Sequence, residues 1–224
     1  MSKGGRREVA SKMGRRRAFD TGTVVQAARD VFWQCGYELT SIADLEERTG
    51  LDRSSLYNAF GSKQGLFEAA LRSYLREAIE SRLGGMQQPD AGIATIAAFF
   101  TGMAQTFRAD PERARYGCLM VNTLGELGAQ NAHSALAEAY RDNFRAAFGT
   151  ALSQAVTRGE VDSERVRPRA NLLATMTMGL FISARIDPSD AADVCESVAA
   201  EVTGWQRRHP SGGSARQAKR AAQH

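Results

Sequence analysis

Residues 40–67, TSIADLEERTGLDRSSLYNAFGSKQGLF, constrain the fold more than any other stretch of this 224-residue chain. Thr40 or Ser41 can cap a first short helix, because a hydroxyl at that position accepts a hydrogen bond from a free N–H of the opening turn. Gly50 suits the end of that helix, since glycine adopts the left-handed conformation without a steric penalty. The stretch therefore predicts a short helix that ends in a tight turn.

A second short helix is predicted after the turn, with Asp52 as its cap. Leu56 and Phe60 have the i, i+4 spacing of side chains that face inward. The remaining faces carry one cation and four neutral hydrogen-bonding groups: Arg53, Ser54, Ser55, Tyr57 and Asn58. A solvated helix face would usually carry Glu and Lys instead, so this composition favours a helix that reads DNA bases.

The segment GLDRSSLYNAFGSKQGLF, residues 50–67, resembles the recognition-helix region of the TetR family of bacterial repressors. The resemblance lies in the turn glycine, in Tyr57 and Phe60 three residues apart, and in Lys63 at the start of the next helix. It covers about residues 19–71. It implies an all-α fold with an N-terminal three-helix helix-turn-helix DNA-binding domain and a C-terminal helical domain for ligand binding and dimerisation.

The resemblance also implies roles for single residues. Phosphate contacts are implied for four of them: Thr40, Ser41, Tyr57 and Lys63. Arg53 is our candidate for a bidentate contact to guanine. Contacts to bases or phosphates are expected for Ser54, Ser55 and Asn58. At Asn58 the family often has an aromatic residue or histidine after the tyrosine, so no base preference is carried over.

The net charge of +4 hides an uneven distribution. Residues 1–17 carry seven basic residues and one acid, and residues 207–224 carry five basic residues and no acid, so the part between them has a net charge of −7. That part cannot hold DNA by bulk attraction. We expect the N-terminal arm, through Arg15, Arg16 and Arg17, to contact phosphates or the minor groove, with a solvated arm as the alternative. For the C-terminal tail we favour a solvated, disordered segment.

The composition argues against several classes of protein. No apolar run reaches the ~18–20 residues of a membrane helix, and no apolar segment follows the basic N-terminus as in a secretory signal. A cytoplasmic protein without membrane contact is expected. The three cysteines form no CxxC site and the three histidines no metal-binding pair, so neither a metal nor a cofactor is expected. No GxSxG motif or Walker loop occurs, and an enzyme is not expected.

Helical spacing of apolar residues continues through the rest of the chain, and no segment predicts a strand. Long helices are predicted over residues 20–34, 62–83, 93–107, 133–157, 169–186 and 189–205. We divide the chain into a basic disordered arm (1–17), the helix-turn-helix domain (18–64), a helical effector-binding and dimerisation domain (65–207) and a basic disordered tail (208–224). The family resemblance implies that the helices at 133–157 and 169–186 pair with their copies in a homodimer.

The segment GCLMVNTLGEL, residues 117–127, is apolar on nearly every face yet carries Asn122, Thr123 and Glu126. Such a helix is buried, and buried polar groups must be hydrogen-bonded. One interpretation is that these groups bond to the backbone of neighbouring helices, and the other is that they face a ligand cavity. The ligand-binding hypothesis has eleven candidate residues: Phe99, Met103, Phe107, Cys118, Met120, Asn122, Thr123, Glu126, Tyr140, Phe144 and Met176.

Cys118 allows two interpretations. The pattern G-C-L-x-x-N is similar to a segment of some TetR-family members that sense electrophiles or oxidants through that cysteine. Gly117 before it, with Arg113 and Arg115 nearby, could favour a reactive thiolate. The interpretation that we favour is a cysteine that only packs in the core, and the same is expected of Cys35.

The sequence therefore predicts a homodimeric transcriptional regulator that binds double-stranded operator DNA, as a repressor released by a small-molecule or thiol-reactive effector. Two alternatives stay open. A helical small-molecule-binding protein without specific DNA binding would have no use for Arg53 and the basic arm. A constitutive DNA-binding protein without an effector would have no use for the polar cluster at residues 122–126.

Overall fold

The structure is a computed structural model that describes residues 19–127 and 134–206. Every regular element within these two ranges is a helix, which confirms the all-α expectation for this part of the chain. No helix in the described ranges has the length and apolar character that a membrane span needs. The predicted basic arm, with Arg15, Arg16 and Arg17, and the predicted basic tail lie outside the described residues.

The N-terminal part contains four helices: α1 (Thr21–Cys35), α2 (Ile42–Thr49), α3 (Arg53–Phe60) and α4 (Lys63–Leu83). A 3₁₀ turn at Gly84–Gln87 follows α4. The C-terminal part contains six more: α5 (Ile93–Ala109), α6 (Pro111–Ala114), α7 (Leu119–Leu127), α8 (Ser134–Thr157), α9 (Val166–Ile186) and α10 (Pro188–Gly204). A second 3₁₀ turn, Ser163–Arg165, leads into α9.

The start of α1 is set by a capping residue close in sequence. The Asp20 carboxylate accepts hydrogen bonds from the N–H groups of Gly22 and Thr23. Such a cap satisfies N–H groups that have no partner within the helix. Because the capping side chain is visible in the sequence, α1 begins within one residue of the predicted start.

The start of α9 differs from the prediction. The helix begins at Val166, three residues before the predicted start at residue 169. Pro168 therefore lies inside the first turn instead of ahead of the helix. A proline is tolerated there, because the N–H groups of the first turn make no intrahelical hydrogen bond.

The core of the N-terminal part forms where α1 packs against α4. The Phe32 ring is buried and meets the edge of the Phe67 ring at a centroid distance of 4.9 Å. Leu45 of α2 and Leu56 of α3 are buried in the same apolar cluster. Burial of each such side chain contributes about 1.5–3 kcal/mol. These contacts fix the orientation of α2 and α3 relative to α1 and α4.

The C-terminal part is a bundle in which α5 packs along α10 and α8 packs along α9. Its centre is aromatic: the Phe99 ring meets the edges of Phe100 and Phe148 at centroid distances of 5.1 and 5.5 Å. The rings of Phe100 and Phe148 are stacked at 5.9 Å. These contacts hold α5 against α8, so that α5 forms one wall of the C-terminal core.

Helix α4 belongs to both parts of the molecule. Phe67 lies in its first half, and Tyr74, two turns later, meets the edge of the Trp33 ring of α1 at 5.2 Å. Leu83, the last residue of α4, is buried in the apolar cluster that continues into the C-terminal bundle. The predicted domain boundary between residues 64 and 65 therefore falls inside a continuous helix.

The expectation that Cys35 is buried is wrong. Cys35 is the last residue of α1 and is exposed. The buried stripe of this helix runs through Val24, Ala28 and Phe32, which are four residues apart. Cys35 follows Phe32 by three residues and lies where the helix ends, so none of the described elements covers it.

We predict that Gly65→Ala destabilises the fold. A Cβ at Gly65 would overlap the carbonyl oxygen of Phe60, so α3 and α4 would have to move apart. The expected loss is about 1–3 kcal/mol of unfolding free energy, measured by urea denaturation. The control is Gly102→Ala, whose Cβ meets no atom within 4 Å and which should stabilise α5 by about 0.5–1 kcal/mol. Equal unfolding free energies for the two variants would contradict the close approach of α3 and α4.

Candidate nucleic-acid interface

The turn between α2 and α3 is fixed by hydrogen bonds from its own residues. Gly50 adopts the left-handed conformation with φ of 69°, and its N–H donates to the Glu46 carbonyl at 2.9 Å. The Glu46 carboxylate accepts a hydrogen bond from the backbone N–H of Arg53, the first residue of α3, at 2.5 Å. Glu46 therefore joins α2 to α3 and holds the angle between them.

Both helices have side-chain caps. The Ser41 hydroxyl accepts a hydrogen bond from the Asp44 N–H, and the Asp44 carboxylate accepts one from the Ser41 N–H. The Asp52 carboxylate accepts the Ser55 N–H at 2.7 Å and the Ser54 hydroxyl at 2.8 Å. The hydrogen bond from the Ser55 backbone, and then that from Ser54, hold the pKa of Asp52 below its ordinary value. The cap of α3 is therefore ionised at neutral pH.

Helix α3 exposes the side chains that were expected to contact DNA bases. Leu56 is buried, whereas Arg53, Ser54 and Asn58 are exposed. The Arg53 guanidinium lies over the Tyr57 ring, with 5.4 Å between Cζ and the ring centroid. Stacking on a ring leaves the N–H groups at the guanidinium edge free to donate. The exposed face of α3 thus presents a positioned guanidinium and an amide, and α3 carries no acidic side chain.

Lys63 and Tyr57 lie together where α4 begins. They line the same small depression between α2, α3 and α4. The Lys63 ammonium is 4.4 Å from the centroid of the Tyr37 ring. Hydrogen bonds from Ser41, and to a lesser extent the Lys63 charge, lower the pKa of Asp44. The structure therefore brings the hydroxyl of Ser41, the phenol of Tyr57 and the ammonium of Lys63 close to the start of α4.

Thr40 does not join this group, which corrects the expected phosphate contact of its side chain. The residue is 1% exposed, and its hydroxyl donates a hydrogen bond to the Gly36 carbonyl at 2.5 Å. Ser41 is the residue that caps α2. The Thr40 side chain is therefore used to close the loop between α1 and α2.

Two hydrogen-bonded contacts join the helix-turn-helix to the C-terminal part. The Glu126 carboxylate of α7 accepts hydrogen bonds from the backbone N–H groups of Tyr37 and Glu38, at 2.9 and 2.6 Å. The indole N–H of Trp33 donates to the Gly117 carbonyl at 3.1 Å. The expectation that Glu126 lines a ligand cavity is corrected, because both of its oxygens face donors of the loop after α1.

A cavity of about 270 Å³ opens between α4, α5 and α9. Its lining is mostly apolar: Arg82, Ala98, Phe99, Gly102, Met103, Thr106, Phe107 and Phe181. Three of the eleven ligand-binding candidates, Phe99, Met103 and Phe107, therefore share one cavity. Arg82 and Phe181 were missed by the sequence analysis, since they reach the cavity from helices other than α5.

Cys118 lies in the core and not in the cavity lining. The side chain is fully buried, and its Sγ is 2.9 Å from Tyr140 Oη. Burial, and then the proximity of Cys118, raise the pKa of Tyr140 well above its ordinary value. Met120 is also fully buried, and the Phe144 ring meets the edge of the Tyr140 ring at 5.1 Å. The candidates Cys118, Met120, Tyr140 and Phe144 therefore pack within the apolar core, and the half-buried Met176 packs against that core.

Asn122 and Thr123 bond to backbone carbonyls. The Asn122 amide donates to the Tyr116 carbonyl at 2.7 Å, and the Thr123 hydroxyl donates to the Leu119 carbonyl at 2.8 Å. These partners lie in α7 itself and in the loop before it. The two side chains thus satisfy backbone groups, as in the first interpretation of this polar cluster, but the backbone is that of their own segment and not that of a neighbouring helix. Among the described residues, no three acidic, histidine or cysteine side chains are grouped as metal ligands.

Residues 24–70 match the sequence pattern of the family described as "Bacterial regulatory proteins, tetR family". The chain is similar to the HTH-type transcriptional repressor ComR of Escherichia coli (strain K12), with 32% identity over 180 residues, which are 79% of this chain and 85% of that protein. It is also 37% identical over 111 residues to the uncharacterized HTH-type transcriptional regulator YezE of Bacillus subtilis (strain 168). That match spans 50% of this chain and 56% of the relative.

A solved structure with a similar fold is a cysteine mutant of the TetR family transcriptional regulator CifR, complexed with 26 base pairs of double-strand operator DNA. The identity is 28%, the TM-score is 0.68, and the match covers 87% of this chain and 100% of that chain. The expected fold, an N-terminal helix-turn-helix domain with a helical C-terminal domain, is confirmed, and these relatives are regulators instead of enzymes. The chain belongs to the TetR family of bacterial regulatory proteins and is a DNA-binding transcriptional regulator.

Proposed function

We propose that the protein is a homodimeric repressor that binds its operator through α3 and is released by a small-molecule effector in its C-terminal domain. The exposed face of α3 carries this proposal, because it combines the stacked Arg53 guanidinium with the Asn58 amide. Two relatives support it: the structure of a CifR cysteine mutant was solved in complex with operator DNA, and ComR is described as a repressor.

We assign the base contacts to α3. A guanidinium that is stacked on a ring keeps two parallel N–H groups for guanine, so Arg53 is the residue for a bidentate contact that gives ~1–3 kcal/mol of discrimination. Asn58 and Ser55 add contacts to bases or phosphates. The Ser54 hydroxyl already donates to Asp52, so Ser54 contributes as an acceptor.

We assign the phosphate contacts to the region where α4 begins. Tyr57 and Lys63 lie there, and the positive end of the helix dipole adds to the Lys63 charge. The Ser41 hydroxyl donates to the Asp44 carboxylate at 2.7 Å, so a phosphate contact of Ser41 requires it to give up that hydrogen bond. Residues 18–63 carry four basic and seven acidic residues, a net charge of −3. In this proposal the basic arm, through Arg15, Arg16 and Arg17, supplies the charge that the head lacks.

Two substitutions separate base reading from phosphate binding. Arg53→Ala should weaken binding to the operator by ~1–3 kcal/mol more than binding to random DNA. Lys63→Ala should weaken binding to both DNAs alike and lower the salt slope by about one. The operator is first located by footprinting DNA upstream of the protein's own gene, and duplex titrations at several salt concentrations then give the affinities. Equal losses on both DNAs for Arg53→Ala would show that it does not read bases.

We infer that α9 pairs with its copy in the homodimer. Leu172, Ile182 and Ile186 are 50, 51 and 77% exposed on this helix. Their spacing places them on one face, with Gly179 among them to permit close approach of a second helix. An exposed apolar stripe of this kind is typical of an interface between protein subunits. Helix α8, which packs along α9, adds the second helix of each copy.

The substitution Ile182→Glu is expected to convert the dimer to monomers, because it places a charge in the centre of the apolar stripe. Light scattering coupled to size-exclusion chromatography measures the mass. The matched control is Val194→Glu, which places the same charge at a 40% exposed apolar residue of α10. The dimer is expected to persist in this control. A dimer that also persists in Ile182→Glu would contradict the role of α9.

In this proposal the effector acts on the DNA-binding helices through α4 and α7. Helix α4 contributes Arg82 to the cavity and Tyr74 to the contact with Trp33. Helix α7 holds the loop after α1 through Glu126.

A thiol-reactive effector is the alternative, and Cys118 would be its target. Because Cys118 is fully buried, such a reagent must first open the core beside Tyr140. Footprinting of wild type and Cys118→Ser with a thiol-reactive compound separates the two modes.

The contact of Glu126 with the loop after α1 is expected to be lost in Glu126→Ala. The amides of Tyr37 and Glu38 should then exchange hydrogen about tenfold faster, since the loss of ~1.4 kcal/mol of local stability corresponds to that factor. Hydrogen-exchange mass spectrometry of the loop measures the rates. Glu47→Ala removes an exposed carboxylate of α2 without a hydrogen bond to this loop and serves as the control. Unchanged exchange in Glu126→Ala would refute the link.

A further inference from the structure

We propose that the cavity between α4, α5 and α9 binds a small carboxylic acid with an apolar body, such as an arylacetate or a short fatty-acid anion, through Arg82. The inference rests on the proposed effector function and adds the chemical class of the ligand. It follows from the size of the cavity, from its walls and from the charge that it holds.

The size and the walls limit the body of the ligand. The volume of about 270 Å³ lies just below the ~300–1,000 Å³ that is usual for small-molecule sites, which leaves room for one aromatic ring or a short alkyl chain. Three aromatic rings line the cavity, those of Phe99, Phe107 and Phe181, together with the flexible side chain of Met103. Such walls favour an apolar body, because they offer it dispersion contacts and no hydrogen bonds.

Arg82 gives the cavity one positive charge that no carboxylate among the described side chains pairs with. Its guanidinium lies over the Phe181 ring, with 5.4 Å between Cζ and the ring centroid. It forms no ion pair with any carboxylate among the described side chains. Arg108, on the neighbouring α5, is paired with both Asp193 and Glu196. An arginine that lines an apolar cavity without such a partner is suited to an anionic ligand.

The other polar side chain in the lining does not compete for this role. The Thr106 hydroxyl donates to the Gly102 carbonyl at 2.9 Å, so its proton is already used. Arg82 is therefore the donor that the lining offers, and stacking on Phe181 leaves the guanidinium edge free. The two parallel N–H groups of that edge match the two oxygens of a carboxylate.

The charge balance selects a monoanion over other ligands. The doubly charged form of inorganic phosphate would leave one charge uncompensated beside three aromatic rings, which is costly in an apolar site. A neutral ligand such as an amide accepts a hydrogen bond from the guanidinium through its carbonyl oxygen, but it leaves the charge unpaired and lacks the second parallel acceptor of a carboxylate. A monocarboxylate neutralises the single charge of Arg82 and adds no further unpaired charge to the cavity.

The cavity is placed to influence the DNA-binding helices. Arg82 and Tyr74 lie on the same helix, eight residues apart, and Tyr74 packs against Trp33 of α1. Burial raises the pKa of Tyr74 well above its ordinary value, and the charge of Arg82 opposes this rise. The guanidinium is thus within electrostatic reach of the contact between α4 and α1. A carboxylate that neutralises Arg82 changes the forces on the helix that both parts of the molecule share.

Calorimetric titration of the full chain with matched ligands tests the ligand class. The probes are hexanoate and phenylacetate, their neutral amides hexanamide and phenylacetamide, and inorganic phosphate. Each acid is expected to bind at least about tenfold more tightly than its amide, a difference of ~1.4 kcal/mol. Phosphate is expected to bind more weakly than either acid. Acids that bind no better than their amides, or that do not bind at millimolar concentration, would overturn the proposal.

Three variants test the site itself. Arg82→Met removes the charge but keeps a side chain of similar length, so acid and amide should bind with equal affinity. Arg82→Lys keeps a positive charge and should retain part of the higher affinity for the acid. Gly102→Leu should abolish binding of both ligand types, because a Cβ at Gly102 meets no atom within 4 Å and the side chain fills the cavity. Arg76→Met removes an exposed arginine of the same helix and should change nothing. An acid advantage that survives in folded Arg82→Met, judged by circular dichroism, would exclude Arg82 as the ligand-binding group.

Operator binding measured with the same protein distinguishes failure of this inference from failure of the proposed function. If the acids bind through Arg82 but leave the operator affinity unchanged, the ligand class is supported and the effector role is refuted. If another compound releases the operator while neither acid binds, the effector role is supported and the carboxylate assignment is refuted.

Discussion

The packing of α4 on α1 is the constraint on which the rest of the structure depends. Phe67 and Tyr74 of α4 contact Phe32 and Trp33 of α1, and the same helix ends at Leu83 inside the apolar cluster of the C-terminal bundle. Helix α1 in turn shares a core with α2 and α3, so the position of the exposed face of α3 is set by α4. Because a close-packed helix moves as a unit, a displacement at one end of α4 also displaces the other end.

The features that could be predicted from the sequence are those set by residues a few positions apart. Asp20, Ser41 and Asp52 cap their helices by accepting hydrogen bonds from N–H groups two or three residues later, and Gly50 forms its turn with Glu46. Such interactions need no partner from another element, so their spacing reveals them. The exposed face of α3 was predictable for the same reason, since the helical period separates its polar side chains from the buried leucine.

The features that could not be predicted join residues far apart in the chain. The Glu126 carboxylate bonds to N–H groups 89 and 88 residues earlier, and Arg82 and Phe181 meet Phe99 only because α4, α5 and α9 pack around one cavity. An apolar pattern reports which face of a helix is covered, but not which element covers it. The exposure of Thr40 and Cys35 was misjudged for the same reason, since it depends on how the ends of α1 and α2 pack.

The charge of the DNA-binding head explains why the proposed mechanism depends on two copies. Residues 18–63 have a net charge of −3, so a single head gains affinity from a few placed donors and not from general attraction. In the proposed dimer, two heads joined through α9 bind as one unit, and the effective concentration of the second head at its half-site is raised once the first head is bound. That gain is lost when the heads no longer match the spacing of the half-sites. In the proposed mechanism, a ligand that shifts α4 therefore releases the operator without touching any residue of α3.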